Sequence, residues 1–336
     1  MPEKTDPPLL LVLGGDPDGP GDVPAPDLRR IAGRALVRYA DETSLAGLLP
    51  AADALLVWNF TSDAPARAWS GPGRRPGWVH TASAGVDRLL SCPEIAASDT
   101  VVTNARGIFD QPIAEYTAGL VLALAKDFHG SWELQRQHRW RHRETMRVSG
   151  SRAIVVGSGP IGRAIGRTLL ALGVGVELVG RRERTGDPEF GTVHAADSLH
   201  GLLPGADWVV CAAPLTPQTT GMFDARAFSR MRPGARFVNV GRGAHVVQED
   251  LVRALLSRHL GGAALDVFAD EPLPADSPLW DVPGLLVSPH MSGDTTGWRA
   301  DLARQFCDNF DRWAAGEPLL NVVDKRLGYV SDRSTP

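Results

Sequence analysis

Short apolar runs cut by turn-forming residues recur along the chain in two series. In the first, Leu9–Leu13, Ala35–Tyr39, Ala54–Trp58, Trp78–Ala82 and Thr100–Thr103 read as strands. Their near-continuous apolar character is that of strands covered on both faces. Helices are expected at Ser44–Leu49 and Ala64–Ser70, and Gly14–Asp27, dense in Gly, Pro and Asp, is a loop. The second series starts at Arg152. It predicts strands at Ala153–Val156, Gly175–Val179, Trp208–Cys211, Arg236–Val240, Ala263–Val267 and Leu285–Ser288. Helices are expected at Ile161–Leu172 and Gln248–Arg258, with a closing helix at Thr296–Ala315. Such alternation is the mark of an α/β fold with mostly parallel sheets. Between the series, Ile113–Lys126 predicts a long helix buried nearly all round, either a hinge between domains or part of a subunit interface.

Composition narrows the class of partner. With 336 residues the chain is long enough for two cores. A net charge of −4 gives no footing for nucleic acid or an anionic membrane, so the basic stretch Arg136–Arg143 reads as a solvated arm. Cys92, Cys211 and Cys307 are scattered, which suggests neither a disulfide framework nor a metal site and fits a reducing compartment. Cys211 reads as a small buried residue. The run Leu9–Leu13 is too short for a secretory core, no stretch approaches a membrane span, and a cytoplasmic location is expected.

The segment "VVGSGPIG" carries Gly157, Gly159 and Gly162 in the GxGxxG spacing, after a β-branched strand and before an apolar helix. In that setting the spacing is a dinucleotide cradle. Gly157 permits the tight turn, Gly159 the approach of backbone to a pyrophosphate, and Gly162 close helix–strand packing. Pro160 and Ile161 open the helix whose N–H groups face the phosphates. A carboxylate for the ribose 2′-OH is expected about 20 residues on. Here the strand runs instead into Gly180, Arg181 and Arg182, with Glu183 behind. Guanidinium groups suit a 2′-phosphate, so NADP(H) is favoured and NAD(H) is the alternative. The counterweight is composition: Lys4, Lys126 and Lys325 are the only lysines among 35 basic residues, so a chance Arg pair is common.

Three further segments end predicted strands: Gly241–Gly243 around Arg242, Asp266 with Glu271 beyond it, and His290. Ligands of doubly wound sheets bind at the carboxyl ends of the strands, so these segments share an edge with the glycine loop. A resemblance to D-isomer-specific 2-hydroxyacid dehydrogenases at these residues implies reduction of a 2-oxo acid, which needs a hydride at the carbonyl carbon and a proton at its oxygen. His290 suits the proton donor, Glu271 a carboxylate that favours imidazolium, and Arg242 a fork for the substrate carboxylate and carbonyl. Each has a plain alternative: Arg242 as a surface ion-pair partner, Glu271 as a loop charge, His290 as a helix cap. His245, close to Arg242, reads as a loop or cap residue, and His129, His138 and His142 belong to the polar arm.

At these residues the chain resembles the D-isomer-specific 2-hydroxyacid dehydrogenase family. The pattern appears in order as "VVGSGPIG", "CAAPLTPQTTGMF", "VNVGRG", "ALDVFADEPLP" and "SPHMSG", with "TASAGVDRL" and "VTNARGIFDQPIAEYTAGL" upstream. The resemblance implies two Rossmann-like domains, each a doubly wound parallel sheet, with the active site in the cleft between them. A nucleotide-binding domain over 106–292 would be inserted into a substrate-binding domain formed by 1–105 and 293–336. It also implies that the backbone of Ala84 and Gly85 holds the substrate carboxylate, that Asp266 meets the nicotinamide carboxamide, and that Ala213, Pro214 and Val240 touch the cofactor. A homodimer is implied, with no metal.

Within the family, Glu271 argues against formate dehydrogenase-like members, and Ala84 stands where phosphite dehydrogenases carry lysine. The stretch after His290 is expected to hold only a return helix and a tail. The "GRRER" run and the length are similar to glyoxylate/hydroxypyruvate reductases. Trp58 and Asn59 are expected to line the substrate end, and Trp132 or Trp140 to reach a neighbouring subunit. A different class stays open: a dehydrogenase-like protein that senses nucleotide and turns over little, as corepressors of this fold do.

Overall fold

The computed structural model describes residues 7–16 and 23–331. The chain forms two compact units, Met1–Ile108 with Thr295–Pro336, and Phe109–Asp294. The first segment carries β1 (Leu9–Leu13), β2 (Leu36–Ala40), α1 (Leu45–Leu48), β3 (Ala54–Val57), α2 (Ala64–Trp69) and β4 (Trp78–Thr81). It ends with α3 (Asp87–Leu90), α4 (Pro93–Ala97) and β5 (Val101–Asn104). The inserted unit runs α5 (Asp110–Lys126), α6 (Phe128–Arg136), β6 (Arg152–Val156), α7 (Pro160–Ala171), β7 (Gly175–Gly180), β8 (Arg184–Asp187) and β9 (Gly191–Ala195). It continues with α8 (Leu199–Leu202), β10 (Trp208–Cys211), α9 (Ala225–Arg230), β11 (Arg236–Asn239), α10 (Gln248–Leu256), β12 (Gly262–Leu265) and β13 (Leu285–Val287). Helix α11 (Trp298–Ala314) returns to the first unit.

In the first unit a parallel sheet of order β2-β1-β3-β4-β5 buries its apolar runs. Helix α11 closes it: Phe306 stacks on Trp78 at 5.3 Å between ring centroids, and Trp313 lies 5.7 Å from the same indole. Asn309 anchors the chain beyond, donating to Leu320 O and accepting from Leu320 N. His80 is wholly buried in this core, with Nδ1 2.8 Å from the Thr103 hydroxyl, and burial pushes its imidazole down to about 3.

The second unit holds the larger sheet, β13-β12-β11-β10-β6-β7-β9-β8, parallel except for the β8–β9 pair. The strand order reverses at β6, whose neighbours are β7 and β10. That switch point is where such sheets open a crevice at the strand ends. Helix α7 buries Gly162, Ile165, Gly166 and Leu169, an i, i+3, i+4, i+7 stripe against the sheet. A tight aromatic trio, Phe223, Phe228 and Phe237, fills the other side, with Phe223 and Phe237 at 4.7 Å.

Several elements differ from the sequence expectation. The β8–β9 hairpin escaped the pattern because its first strand, Arg-Thr-Gly-Asp, is an exposed edge with no apolar face to alternate. Arg163 of α7 ties it down through Asp187, whose carboxyl the guanidinium holds down at about 2 against burial, helped by the Glu189 and Phe190 N–H groups. Helix α5 is not buried all round, since Gln111, Glu115 and Gly119 form an exposed row. Phe109, the first residue of the second unit, packs its ring against Gly293, where an added Cβ would come within 2.7 Å of it. The basic arm is partly anchored, as Arg143 donates to Asp127 and Ser131. Within the predicted loop Gly14–Asp27, residues 17–22 lie outside the described ones. No helix among the described residues is long and apolar enough to cross a membrane.

The aromatic trio sets an expectation for stability. Phe237→Ala should cost about 3–5 kcal/mol, the range for emptying a buried phenylalanine site. Urea unfolding followed by fluorescence checks it, and a loss well under 1 kcal/mol would show that the trio collapses onto the hole.

Candidate active site

The glycine loop is built by exclusion. A side chain on Gly157 would lie 2.7 Å from the Ala212 carbonyl carbon, and Gly157 itself adopts φ 127°, which other residues avoid. A Cβ on Gly162 would overlap the Gly157 carbonyl, so only glycine lets α7 start this close to β6. Above Gly159 the space is open, with no atom within 4 Å of where a Cβ would stand. Pro160 takes the first helical position, and Ile161 is half-buried beside it. The result is a helix N-terminus with clear space in front, which fits a pyrophosphate.

Arg181 and Arg182 follow β7 and are exposed, with no ion-pair or hydrogen-bond partner among the described residues. Arg184, at the start of β8, donates to the Ser158 hydroxyl at 3.2 Å and so reaches into the glycine loop. The sequence reading passed over Arg184 because only the hairpin turns the chain back toward Ser158. Glu183 is exposed. Across the switch point, Ala213 is buried and Pro214 exposed in the loop after β10, and Val240 is buried at the end of β11. Cys211 is wholly buried, and burial pushes its thiol up to about 12.

Beyond β11 the backbone around Arg242 is gripped from both sides. Asn239, wholly buried, accepts from Gly241 N–H at 3.0 Å and donates to Arg242 O at 2.9 Å. The Nδ1 of His245 accepts from Arg242 N–H at 3.0 Å. Sequence reasoning missed Asn239, though a polar residue ending an apolar strand in "VNVGRG" was a usable signal. The guanidinium of Arg242 donates to Gly241 O at 2.8 Å. Gly243 leaves no room for a side chain, since a Cβ would overlap the backbone of Phe268 and Ala269. The Arg242 turn and the Glu271 loop are therefore in direct backbone contact.

Glu271 and His290 meet. Glu271 Oε2 lies 2.7 Å from His290 Nδ1, and its other oxygen accepts from Phe268 N–H at 2.8 Å. Burial works against the carboxylate. The His290 and Phe268 bonds, with the charges of His290 and Arg242, outweigh it and hold the carboxyl below its ordinary value of 4.5. With Nδ1 committed to Glu271, Nε2 is the ring nitrogen left to exchange a proton, and the ring is 43% exposed. His290 sits at φ 50°, a left-handed conformation the surroundings must hold.

Asp266 provides that hold. Its carboxylate accepts from the Ser288 hydroxyl at 2.7 Å, Met291 N–H at 3.0 Å and Ser292 N–H at 3.0 Å, while its carbonyl accepts from His290 N–H at 2.8 Å. The side chain is wholly buried. Asp266, expected to meet the nicotinamide carboxamide, here accepts three bonds that shape the His290 turn.

In the first unit, Ala84 and Gly85 lie in the loop after β4. Asn104 Nδ2 donates to Ala84 O at 2.6 Å and Ser83 Oγ to Gly85 O at 2.5 Å. Their own N–H groups have no partner among the described residues. Trp58 is a correction: it is 3% exposed and its indole N–H donates to Pro24 O at 2.7 Å, so it belongs to the core. Trp132 and Trp140 are both exposed. Among the described residues no cluster of His, Cys, Asp or Glu is placed to hold a metal ion.

The depressed carboxyl of Glu271 predicts a pH signature. A carboxyl held below its ordinary value stabilises the fold fully above that value and loses the contribution as pH falls through the depressed one. The Tm gap between the wild type and Glu271→Gln should be widest just above pH 4.5 and close as the pH is lowered further. A gap that widens in acid would contradict the pairing.

The chain is similar to known proteins over most of its length. Residues 118–292 match the family model for the NAD binding domain of D-isomer specific 2-hydroxyacid dehydrogenases. A glyoxylate/hydroxypyruvate reductase A of Serratia proteamaculans is 30% identical over 83% of this chain and 88% of its own length. The NADPH-dependent glyoxylate/hydroxypyruvate reductase of Sinorhizobium meliloti, solved with NADP and sulfate, superposes with a TM-score of 0.79. It is 26% identical, and the match covers 96% of this chain and all of that one. A D-isomer specific 2-hydroxyacid dehydrogenase of Xanthobacter autotrophicus, solved with NADPH and MES, gives 0.75 at 29% identity, over 95% of this chain and 99% of that one. With just over half its length matched by the family model and most of it by a reductase, this chain belongs to the D-isomer-specific 2-hydroxyacid dehydrogenase family of NAD(P)-dependent oxidoreductases.

Proposed function

We propose that this enzyme reduces a small 2-oxo acid of the glyoxylate or hydroxypyruvate kind to the D-2-hydroxy acid, with NADPH preferred to NADH. The observation that carries the reading is the 2.7 Å bond between Glu271 and His290 Nδ1, with the charge of Arg242 acting on the same carboxylate. Gly157, Gly159, Pro160, Ile161 and Gly162 would hold the pyrophosphate, with Ala213, Pro214 and Val240 lining the same crevice. Arg181 and Arg182, exposed and without partners among the described residues, would take the 2′-phosphate. The reductases and dehydrogenases solved with NADP or NADPH support that preference. When bound, the nicotinamide supplies the hydrogen and two electrons that reach the carbonyl carbon.

The chain's own residues then have separate tasks. Glu271 orients the imidazole through Nδ1, so that Nε2 of His290 delivers a proton to the nascent alkoxide. Arg242 draws the carbonyl oxygen and the carboxylate of the substrate, its backbone fixed by Asn239 and His245. In the first unit, the N–H groups of Ala84 and Gly85 are donors for a carboxylate. The homodimer and the cytoplasmic location expected from the sequence belong to this reading, and light scattering tests the first.

Steady-state assays of 2-oxo acids with each nicotinamide decide the proposal. His290→Ala should lower kcat by about 10²- to 10⁴-fold, the span for general acid catalysis. Glu271→Gln should lower kcat about tenfold or more, because the imidazole loses the carboxylate that orients it. Arg181→Ala should raise KM for NADPH about tenfold or more and leave NADH nearly unchanged, as expected for lost charge-assisted bonds. A preference for NADH would overturn the arginine assignment. Tight nucleotide binding without turnover across the panel would place the chain with the nucleotide-sensing proteins instead.

A further inference from the structure

The geometry points to His245 as a positioning residue that ties the backbone of Arg242 to the nucleotide loop through opposite edges of one ring, an inference resting on the reaction proposed above. His245 is wholly buried in the short turn after Arg242 and touches no solvent. Its Nδ1 lies 3.0 Å from Arg242 N and its Nε2 3.4 Å from Pro214 O. A peptide N–H only donates, so Nδ1 is the acceptor and the ring proton stands on Nε2, directed at the Pro214 carbonyl. The Arg242 carbonyl, also 3.0 Å from Nδ1, is already served by Asn239 Nδ2 and His245 N–H. One neutral tautomer therefore satisfies both edges.

The ring has no spare room. A Cβ on Gly241 would lie 3.1 Å from its Cε1 and 3.2 Å from Ala213 O, so Gly241, His245 and the 213–214 loop close on one another. The same turn is laced to the chain beyond that loop, with Gly221 N–H donating to Ala244 O at 2.8 Å and Phe223 N–H to His245 O at 3.0 Å. A shift of the Ala213–Pro214 loop on nucleotide binding would thus be passed to the Arg242 backbone by a rigid planar side chain. Displacing a substrate-orienting group by a fraction of a bond length is enough to slow the chemistry. No aliphatic residue could replace the ring, since Arg242 N–H and Pro214 C=O need an acceptor and a donor some distance apart on one side chain.

Two near-isosteres separate the edges. In His245→Asn the amide oxygen stands where Nδ1 was, keeping the bond to Arg242 and losing the one to Pro214. In His245→Gln the amide nitrogen stands where Nε2 was, and the losses reverse. His245→Asn should weaken NADPH binding about tenfold, read by fluorescence titration, while kcat/KM for the 2-oxo acid at saturating NADPH stays within about threefold. His245→Gln should lower that kcat/KM about tenfold, mainly through kcat, and leave the NADPH titration within about threefold. Equal losses of both quantities in both variants would reduce His245 to a filler of space and overturn the inference while the reaction stands. If the wild type turns nothing over, the reaction fails, and the nucleotide titration still tests the Pro214 edge. Imidazole ¹⁵N shifts of the wild type alone give a third readout: a proton on Nε2 with bare Nδ1 supports the assignment, and a proton on Nδ1 refutes it.

Discussion

The bond between Glu271 and His290 is the interaction on which the rest of the second unit converges. It joins an acid and a base that would each be ordinary alone. The carboxylate stays ionised despite burial because the imidazole, the Phe268 N–H and the Arg242 charge all favour the anion. The imidazole in turn presents one defined nitrogen outward. Holding His290 there requires a left-handed backbone, and Asp266 holds it by accepting three bonds from the turn that follows β13. The carboxylate that contacts histidine and the carboxylate that shapes its loop are different residues with different burial.

A second constraint is steric. Gly157, Gly162 and Gly243 all stand where a Cβ would overlap or crowd neighbouring backbone. The first two bring α7 hard against β6 and the loop after β10, which leaves the helix N-terminus facing open space above Gly159. The third lets the Arg242 turn rest on the Glu271 loop. Three close approaches, each available only to glycine, thus set the spacing between the nucleotide cradle and the polar cluster. The polar cluster itself could not be assembled on a backbone that stood farther apart.

Much of this was legible from residue order. The strands β1, β3, β4, β6, β10 and β11 announced themselves as apolar runs, because strands covered on both faces need no alternation. The glycine spacing and the Arg242, Glu271 and His290 motifs were readable for a similar reason: each sits just past a strand end, where this class of sheet binds ligands. The illegible parts are of another kind. The β8–β9 hairpin lacks an apolar face, so nothing in its pattern marks a strand, and with it Arg184 went unnoticed beside Ser158. Trp58 looked available to a ligand and proved to be core, its indole N–H bonded to Pro24 in a loop with no periodicity to reveal it.

What residue order alone determined, then, is the pair of mostly parallel sheets, the glycine loop and the strand-end segments that carry Arg242, Glu271 and His290, since periodicity and local backbone demands are written in neighbouring residues. The division of labour among buried polar groups was settled only in three dimensions. Asp266 and Asp270 are both aspartates near the same strand end, yet one is sealed beneath the histidine turn and the other faces solvent. His245 and His290 are both histidines after strands, yet one is locked between two loops and the other stands exposed. Burial and hydrogen-bond partners come from segments far apart along the chain, and the spacing of residues carries no record of which of them will meet.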